Sequence, residues 1–302
     1  VPELPDVELY LHVLRPRIVG QTIDRVRIAG PSLVRTFDPP VRDIQGRTVT
    51  AVTRLGKRVV WRLNNDCFVV IHLMIAGRFR WRPAGAALPG RLGQAAFDFP
   101  AGTLLLTEAG TKKRASLHIV RGDSGLAVLD PDGLDVLGAT PQAFASAIMS
   151  ENHTLKRTLT DPRLLDGIGN AYSDEILHAA RLSPLQLTSR LGPAEISRLH
   201  ESAIRVLATW RDRLIAEAGD RFPEKVTAFR EGMAVHGRYG KPCPVCGTPV
   251  QRIRYATNEA NYCPTCQTGG KLLADRALSR LLKGDWPQSL EELEQYRNER
   301  RR

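Results

Sequence analysis

Cys243-Pro244-Val245-Cys246 and Cys263-Pro264-Thr265-Cys266 are two Cys-x-x-Cys turns with sixteen residues between them. Each turn aims two thiols at one point. Two such turns joined by a hairpin give the four-thiolate, tetrahedral donor set of a structural zinc site. With all four ligands supplied by protein, the Zn2+ has no open position for catalysis. The competing reading, two disulfides, fits poorly, because five cysteines in 302 residues make no disulfide framework. The fifth, Cys67, sits in an apolar run and reads as a core residue. Between the pairs, Arg252 and Arg254 alternate with Ile253 and Tyr255. A β-strand there puts both guanidiniums on one face, where phosphate contact is favoured over a merely solvated surface.

Working outward, Gly237 to Gly270 forms a small Cys- and Gly-rich module, and the chain before it is helical. Thr140-Pro141 supplies a cap and a first helical position, and Pro193 opens a second helix. Ile196, Leu199, Ala203, Val206, Trp210 and Leu214 carry that helix's apolar face as far as Gly219. Between them lie Leu155-Lys156-Arg157 and Asp166-Gly167-Ile168-Gly169-Asn170-Ala171-Tyr172. Two glycines before a helix let backbone approach an anion, and the helix start offers N–H groups to a phosphate. Lys156 would add a charge and Asn170 an amide donor. The plainer reading is a tight turn between helices.

The first 130 residues have a different texture. Pro5, Asp6, Val7, Leu11, Leu14 and Ile18 describe a helix over 5–18. Short β-rich runs follow at Arg58–Leu63, Phe68–Met74, Arg78–Arg82, Thr103–Thr107, Leu117–Val120 and Leu126–Leu129, which is the pattern of a β-sandwich or barrel. The expected organisation is an α+β multidomain chain: a β domain over 1–130, a linker over 131–140, a helical domain over 141–236, the zinc module over 237–270 and an extension over 271–302. In the extension Leu272, Leu273, Ala277, Leu278, Leu281 and Leu282 suit a short packed helix, and Arg300-Arg301-Arg302 reads as an extra phosphate anchor or a frayed solvated end, the second slightly favoured.

Composition narrows the partner. Lys and Arg exceed Asp and Glu by a net +11, which favours a polyanion, nucleic acid ahead of an anionic membrane. No run approaches the ~20 apolar residues of a membrane span. The opening Val1-Pro2-Glu3-Leu4-Pro5-Asp6 has neither the basic nor the apolar part of an export signal, so a reducing cytoplasm is expected. A proline exposed at a chain end carries a secondary amine that attacks electrophilic carbon and forms an iminium, and Glu3 beside it offers a general acid or base. If Val1 reflects an initiator that is removed, Pro2 becomes that amine.

Taken in order, these signals resemble the formamidopyrimidine-DNA glycosylase/endonuclease VIII family, nearer its formamidopyrimidine branch. The resemblance rests on Pro2-Glu3-Leu4-Pro5-Asp6-Val7-Glu8, Arg54-Leu55-Gly56-Lys57, Ile71-His72-Leu73, Lys156 through Asp174-Glu175, Val235-His236-Gly237-Arg238-Tyr239-Gly240-Lys241-Pro242-Cys243 and Cys263-Pro264-Thr265-Cys266-Gln267. It implies an N-terminal helix plus an eight-stranded β-sandwich, a helix-two-turn-helix domain, a four-cysteine zinc ribbon and a cleft for damaged DNA. It also implies a monomeric, bifunctional glycosylase and AP lyase. Pro2 would attack C1′ of a flipped nucleotide, Glu3 would protonate the opening sugar, Lys57 would bind phosphate and assist elimination, and Lys156 with Asn170 would hold phosphates around the lesion.

The departures fall at the DNA wedge. Ile75 stands where the family has Met, with Met74 beside it on the opposite strand face, and Lys112-Lys113-Arg114-Ala115 replaces Arg-Arg-Phe-Gly. Ala96 takes the place of a family His, and Asn258 that of the hairpin Arg. Ile75, Met74, Lys112, Lys113, Arg114, Arg252 and Arg254 are the remaining expected DNA contacts. The alternative function is a damaged-DNA-binding protein on the same scaffold that performs no chemistry.

Overall fold

The computed structural model describes residues 2–255, 258–273 and 287–299. Val1, the expected tail residues Ala277, Leu278, Leu281 and Leu282, and Arg300 to Arg302 lie outside them. The chain divides into two compact units, Val1–Gly133 with Ala208–Ala228, and Leu134–Leu207 with Phe229–Arg302. The division is not the linear one read from the sequence, since residues 208–228 belong with the first unit.

The first unit opens with helix α1 (Leu4–Ile18), whose Leu4, Val7, Tyr10, Leu11, Leu14 and Ile18 are all buried. Pro5 sits in its first turn, and the Asp6 carboxylate accepts the backbone N–H of Glu3 at 2.9 Å, satisfying a donor that the helix itself cannot reach. Eight strands follow: β1 (Arg25–Ile28), β2 (Val49–Leu55), β3 (Arg58–Leu63), β4 (Cys67–His72), β5 (Gly77–Arg82), β6 (Gly93–Phe99), β7 (Gly102–Glu108) and β8 (Ser116–Arg121). They form two four-stranded antiparallel sheets, ordered β1-β6-β7-β5 and β2-β3-β4-β8. The sheets meet at Trp61 of β3, whose ring stands edge-on to Phe97 of β6 at 4.9 Å and lies 6.1 Å from Phe99. Cys67 is fully buried at the start of β4, as its apolar setting suggests.

Two strand assignments need correction. Leu126–Leu129 is not a strand: Gly122–Ala127 forms helix α2, and Leu126 and Leu129 both cover the outer face of the second sheet at Val60, Phe68 and Val70. Residues three apart reach one patch from a helical turn, whereas a strand would point them to opposite faces. β4 ends at His72, so Met74 lies in a turn at φ +52° and not on a strand face.

In the second unit α3 (Pro141–Met149) begins at Thr140, whose hydroxyl accepts the Ala143 N–H at 3.2 Å. α4 (Leu155–Thr160) and α5 (Asn170–Ala179) are joined by two turns that include Gly167 at φ +78°, a left-handed position that glycine adopts at little cost. α6 spans Pro193–Ala218, starting at the expected proline. The zinc module contains the antiparallel hairpin β9 (Gln251–Arg254) and β10 (Glu259–Tyr262), then α7 (Pro264–Thr268). α8 (Leu290–Glu299) closes the described chain, and Leu272 and Leu273 are non-helical. No helix of the described residues is long and apolar enough to cross a membrane.

The inter-sheet contact of Trp61 leaves its indole N–H without a hydrogen-bond partner among the described residues. Trp61→Ala is therefore expected to cost ~3–5 kcal/mol, while Trp61→Phe, which keeps a ring at the contact and breaks no hydrogen bond, costs less, in proportion to the smaller cavity it leaves. Urea denaturation of the two variants measures the difference.

Candidate nucleic-acid interface and zinc centre

Pro2 and Glu3 are buried at the head of α1, Glu3 being only 2% exposed. α1 is tied to the turn that carries Lys57. Arg54 pairs with Glu8 of α1 at 3.2 Å and also donates to the carbonyl of Gly56 at 3.1 Å. Gly56, at φ +62°, supplies the left-handed residue of that turn. Lys57 and Arg58 in turn surround His72. Burial, reinforced by the charges of Arg58 and Lys57, lowers the His72 pKa to about 4, and its Nδ1 accepts the Met74 N–H at 3.1 Å. The ring is thus neutral, with its proton on Nε2.

The bond from Met74 fixes a tight turn between β4 and β5. Ile75 stands at its tip, 53% exposed, and the Gly77 N–H closes the turn on the Leu73 carbonyl at 2.9 Å. A Cβ on Gly77 would come 2.3 Å from that carbonyl oxygen, so only glycine fits. Arg78 donates to the carbonyls of Ile75 at 3.1 Å and Gly77 at 2.6 Å, and its Nε reaches the Val226 carbonyl at 2.6 Å. The segment holding Val226 is clamped a second time, where Arg80 and Arg82 share the Glu224 carboxylate. Lys112, Lys113 and Arg114 occupy the β7–β8 loop. Glu108, 1% exposed, holds that loop by accepting the Arg114 and Ala115 N–H groups, and the Lys113 ammonium donates to the Glu108 carbonyl. Lys112 and Arg114 remain exposed.

In the second unit Lys156 is buried, 7% exposed, and its ammonium donates to Asp174 Oδ1 and to the Asn170 carbonyl, both at 2.6 Å. The other oxygen of Asp174 meets His236 Nδ1 at 2.8 Å and accepts from Asn261 Nδ2 at 3.2 Å. Glu175 accepts three consecutive backbone N–H groups, those of Ala234, Val235 and His236, at 2.7–2.9 Å. Its burial pushes the carboxyl pKa up in spite of those bonds. Asn170 is the first residue of α5, and its Oδ1 is buried without a hydrogen-bond partner among the described residues. The two hairpin arginines differ. Arg252 lies over the Tyr239 ring at 4.2 Å and pairs with Glu259, whereas Arg254 is exposed.

The sulfurs of Cys243, Cys246, Cys263 and Cys266 all lie within 4.8 Å of one another. Tetrahedral Zn–S bonds of ~2.3 Å require sulfurs about 3.8 Å apart. The Cys243–Cys266 and Cys246–Cys263 separations of 4.0 and 3.4 Å bracket that value. Donor number, donor type and spacing fit one structural Zn2+.

Three known domain families match successive parts of the chain. Residues 1–114 match the formamidopyrimidine-DNA glycosylase N-terminal domain, 129–210 its H2TH domain, and 240–269 the zinc finger found in FPG and IleRS. The formamidopyrimidine-DNA glycosylase of Thermus thermophilus is 34% identical over 281 residues, covering 89% of this chain and 100% of that protein. The chain belongs to the formamidopyrimidine-DNA glycosylase family. A second glycosylase, from Symbiobacterium thermophilum, is 32% identical over 88% of this chain and 89% of its own. An uncharacterized formamidopyrimidine-DNA glycosylase-like protein of Mycobacterium tuberculosis is 43% identical over 155 residues, which is 51% of this chain and 94% of that one. Among solved structures, a Lactococcus lactis Fpg complex with Fapy-dG-containing DNA superposes with a TM-score of 0.77 at 26% identity, over 88% of this chain and 100% of that one.

Of the site residues expected from this family, the first unit carries Pro2, Glu3, Lys57, Met74, Ile75, Lys112, Lys113 and Arg114, and the second carries Lys156, Asn170, Arg252, Arg254 and the cysteines. Lys156 and Asn170 do come together. The residues that hold these groups in place carry no role in the sequence pattern alone: Arg54, Arg78 and Glu108 in one unit, Asp174, Glu175 and His236 in the other. A signal existed for Asp174-Glu175, because two adjacent carboxylates beside Ile176 and Leu177 place acid in a stretch that must be buried on one side.

Two expectations can be measured. The His72 pKa is about 4 in the folded chain against an ordinary value of 6.5, so the unfolded chain binds the proton more tightly between those limits. The His72 contribution to stability is complete above 6.5 and declines as pH falls toward 4. His72→Gln, which keeps an acceptor for Met74, is expected to flatten the urea midpoint across that window. Zinc analysis is expected to return one ion per chain, and chelation should abolish the hairpin's slow amide exchange while the β-sandwich keeps its own.

Proposed function

We propose that the protein is a bifunctional DNA glycosylase and AP lyase that removes oxidised or ring-opened bases, acting in a bacterial cytosol where its four zinc thiols stay reduced. The observation that carries this reading is the buried Glu3 carboxyl at the head of α1, directly beside Pro2, in a stretch that matches the glycosylase N-terminal domain. Related solved structures support the substrate class: Lactococcus lactis Fpg forms complexes with Fapy-dG-containing DNA and with DNA containing an abasic site.

In this reading the free Pro2 nitrogen attacks C1′ of an extruded nucleotide. The C1′–N bond to the base breaks, and the base leaves with that electron pair and a proton. Glu3 protonates O4′ as the sugar opens, giving an iminium between Pro2 and C1′. Loss of a C2′ proton expels the 3′ phosphate by β-elimination, and δ-elimination then expels the 5′ phosphate. Lys57 sits on a turn braced against α1, suited to hold phosphate beside this chemistry. Lys156, committed to Asp174, sets the head of α5 so that Asn170 and the first helical N–H groups meet phosphate. Arg254 is the hairpin arginine available to the backbone, and Arg252 steadies the hairpin. Zn2+ takes no part in the bond changes.

Pro2 reacts only as an amine, since with Val1 attached its nitrogen is an amide. Borohydride trapping on abasic DNA, with the mass of the mature N-terminal peptide, tests the proposal because only an iminium is reduced to a stable crosslink. Pro2→Gly is expected to lose at least ~100-fold in trapping. Glu3→Gln should lose ~10²–10⁴-fold in base excision while retaining most lyase activity on preformed abasic sites. Absence of any crosslink from a protein with free Pro2 would leave the damage-binding reading.

Lesion choice follows from the wedge. Extruding a stacked base costs a few kcal/mol, normally offset by an apolar or aromatic side chain that fills the gap. Ile75 fills part of it, while Lys112, Lys113 and Arg114 contribute no ring. Single-turnover rates are therefore expected to be lowest for 8-oxoguanine opposite cytosine in intact duplex. They should rise on abasic sites, on ring-opened or saturated bases, and in bubble or single-stranded DNA. Equal rates on 8-oxoguanine duplex and abasic DNA would exclude wedging as the limiting step.

A further inference from the structure

We infer that His178 is a positioning residue for the zinc centre, donating an Nε2–H hydrogen bond to the metal-bound sulfur of Cys243 and joining α5 to the metal. His178 Nε2 lies 3.3 Å from Cys243 Sγ, and the two residues are 6% and 2% exposed. A zinc-bound thiolate carries no proton and can only accept, so the ring nitrogen facing it must be the donor. Four thiolates around Zn2+ leave a net charge of −2. Cys246 is exposed and can shed its share of that charge to water, but the buried Cys243 cannot. A fixed N–H dipole at that sulfur substitutes for the missing solvent.

The contact also completes a pattern along one helix. Asp174, Glu175 and His178, at i, i+1 and i+4 of α5, lie toward one side of the helix. They reach respectively the His236 ring with Asn261, the backbone of residues 234–236, and Cys243. Each of these partners belongs to the zinc hairpin or the segment leading into it. His178 is the member that touches a metal ligand.

The test uses the zinc-loaded full chain. His178→Phe fills the ring's space without a donor, and His178→Gln returns an N–H. Zinc transfer to a chromophoric chelator is expected to be at least ~10-fold faster for His178→Phe, with His178→Gln intermediate. In cobalt-substituted protein the thiolate-to-metal band of the Phe variant should move to longer wavelength, because an unbonded thiolate gives up an electron more readily. A folded Phe variant that loses zinc at the parent rate with an unmoved band overturns the inference. Should that variant fail to fold, the unsubstituted protein loaded with cadmium-113 decides. A solvent-protected proton on His178 Nε2, coupled through sulfur to cadmium, supports the bond, and a proton on Nδ1 with a bare Nε2 refutes it.

Discussion

The second unit is organised around one buried carboxylate. Asp174 is fully shielded from solvent, yet it gathers the ammonium of Lys156, the ring of His236 and the amide of Asn261, from three separate stretches of chain. Removing such a group from water costs several kcal/mol, a cost met only when every lone pair finds a donor. The donors come from α4, from the segment entering the zinc module and from β10. Those three elements are therefore fixed together or not at all. The adjacent Glu175 repeats the arrangement with backbone donors, which makes α5 the spine of the unit.

The first unit solves a related problem differently. In three of its short loops the carbonyls and N–H groups are collected by single charged side chains: Arg54 at the β2–β3 turn, Arg78 at the turn bearing Ile75, Glu108 at the loop bearing Lys112 to Arg114. In each case a buried or half-buried charge fixes backbone, and the backbone then presents a neighbouring side chain outward. Residues that would touch a ligand are displayed by residues that do not.

This explains what the sequence discloses. Periodicity reveals α1, most strands and the start of α6, because burial of a stripe or a face is a local property. The four cysteines are legible because their chemistry has few other uses. Leu126–Leu129 misleads because a four-residue apolar run satisfies helix and strand alike. The pair Arg252 and Arg254 looks equivalent in a strand pattern until Tyr239 and Glu259 claim the first. Lys156 beside a Gly-x-Gly turn looks like a free cation, because its partner lies on another helix and nothing local announces the pairing.

The engagement of Lys156 has an electrostatic consequence. With Asp174 at 2.6 Å, the pair contributes almost no net charge to its surroundings. An anion arriving at the head of α5 would meet oriented N–H dipoles more than a monopole, and would displace few condensed counterions by doing so. Such a contact would keep its strength as ionic strength rises, whereas the contacts proposed for solvent-facing cations such as Lys112, Arg114 and Arg254 would weaken. The grip at α5 would persist under conditions that loosen the rest.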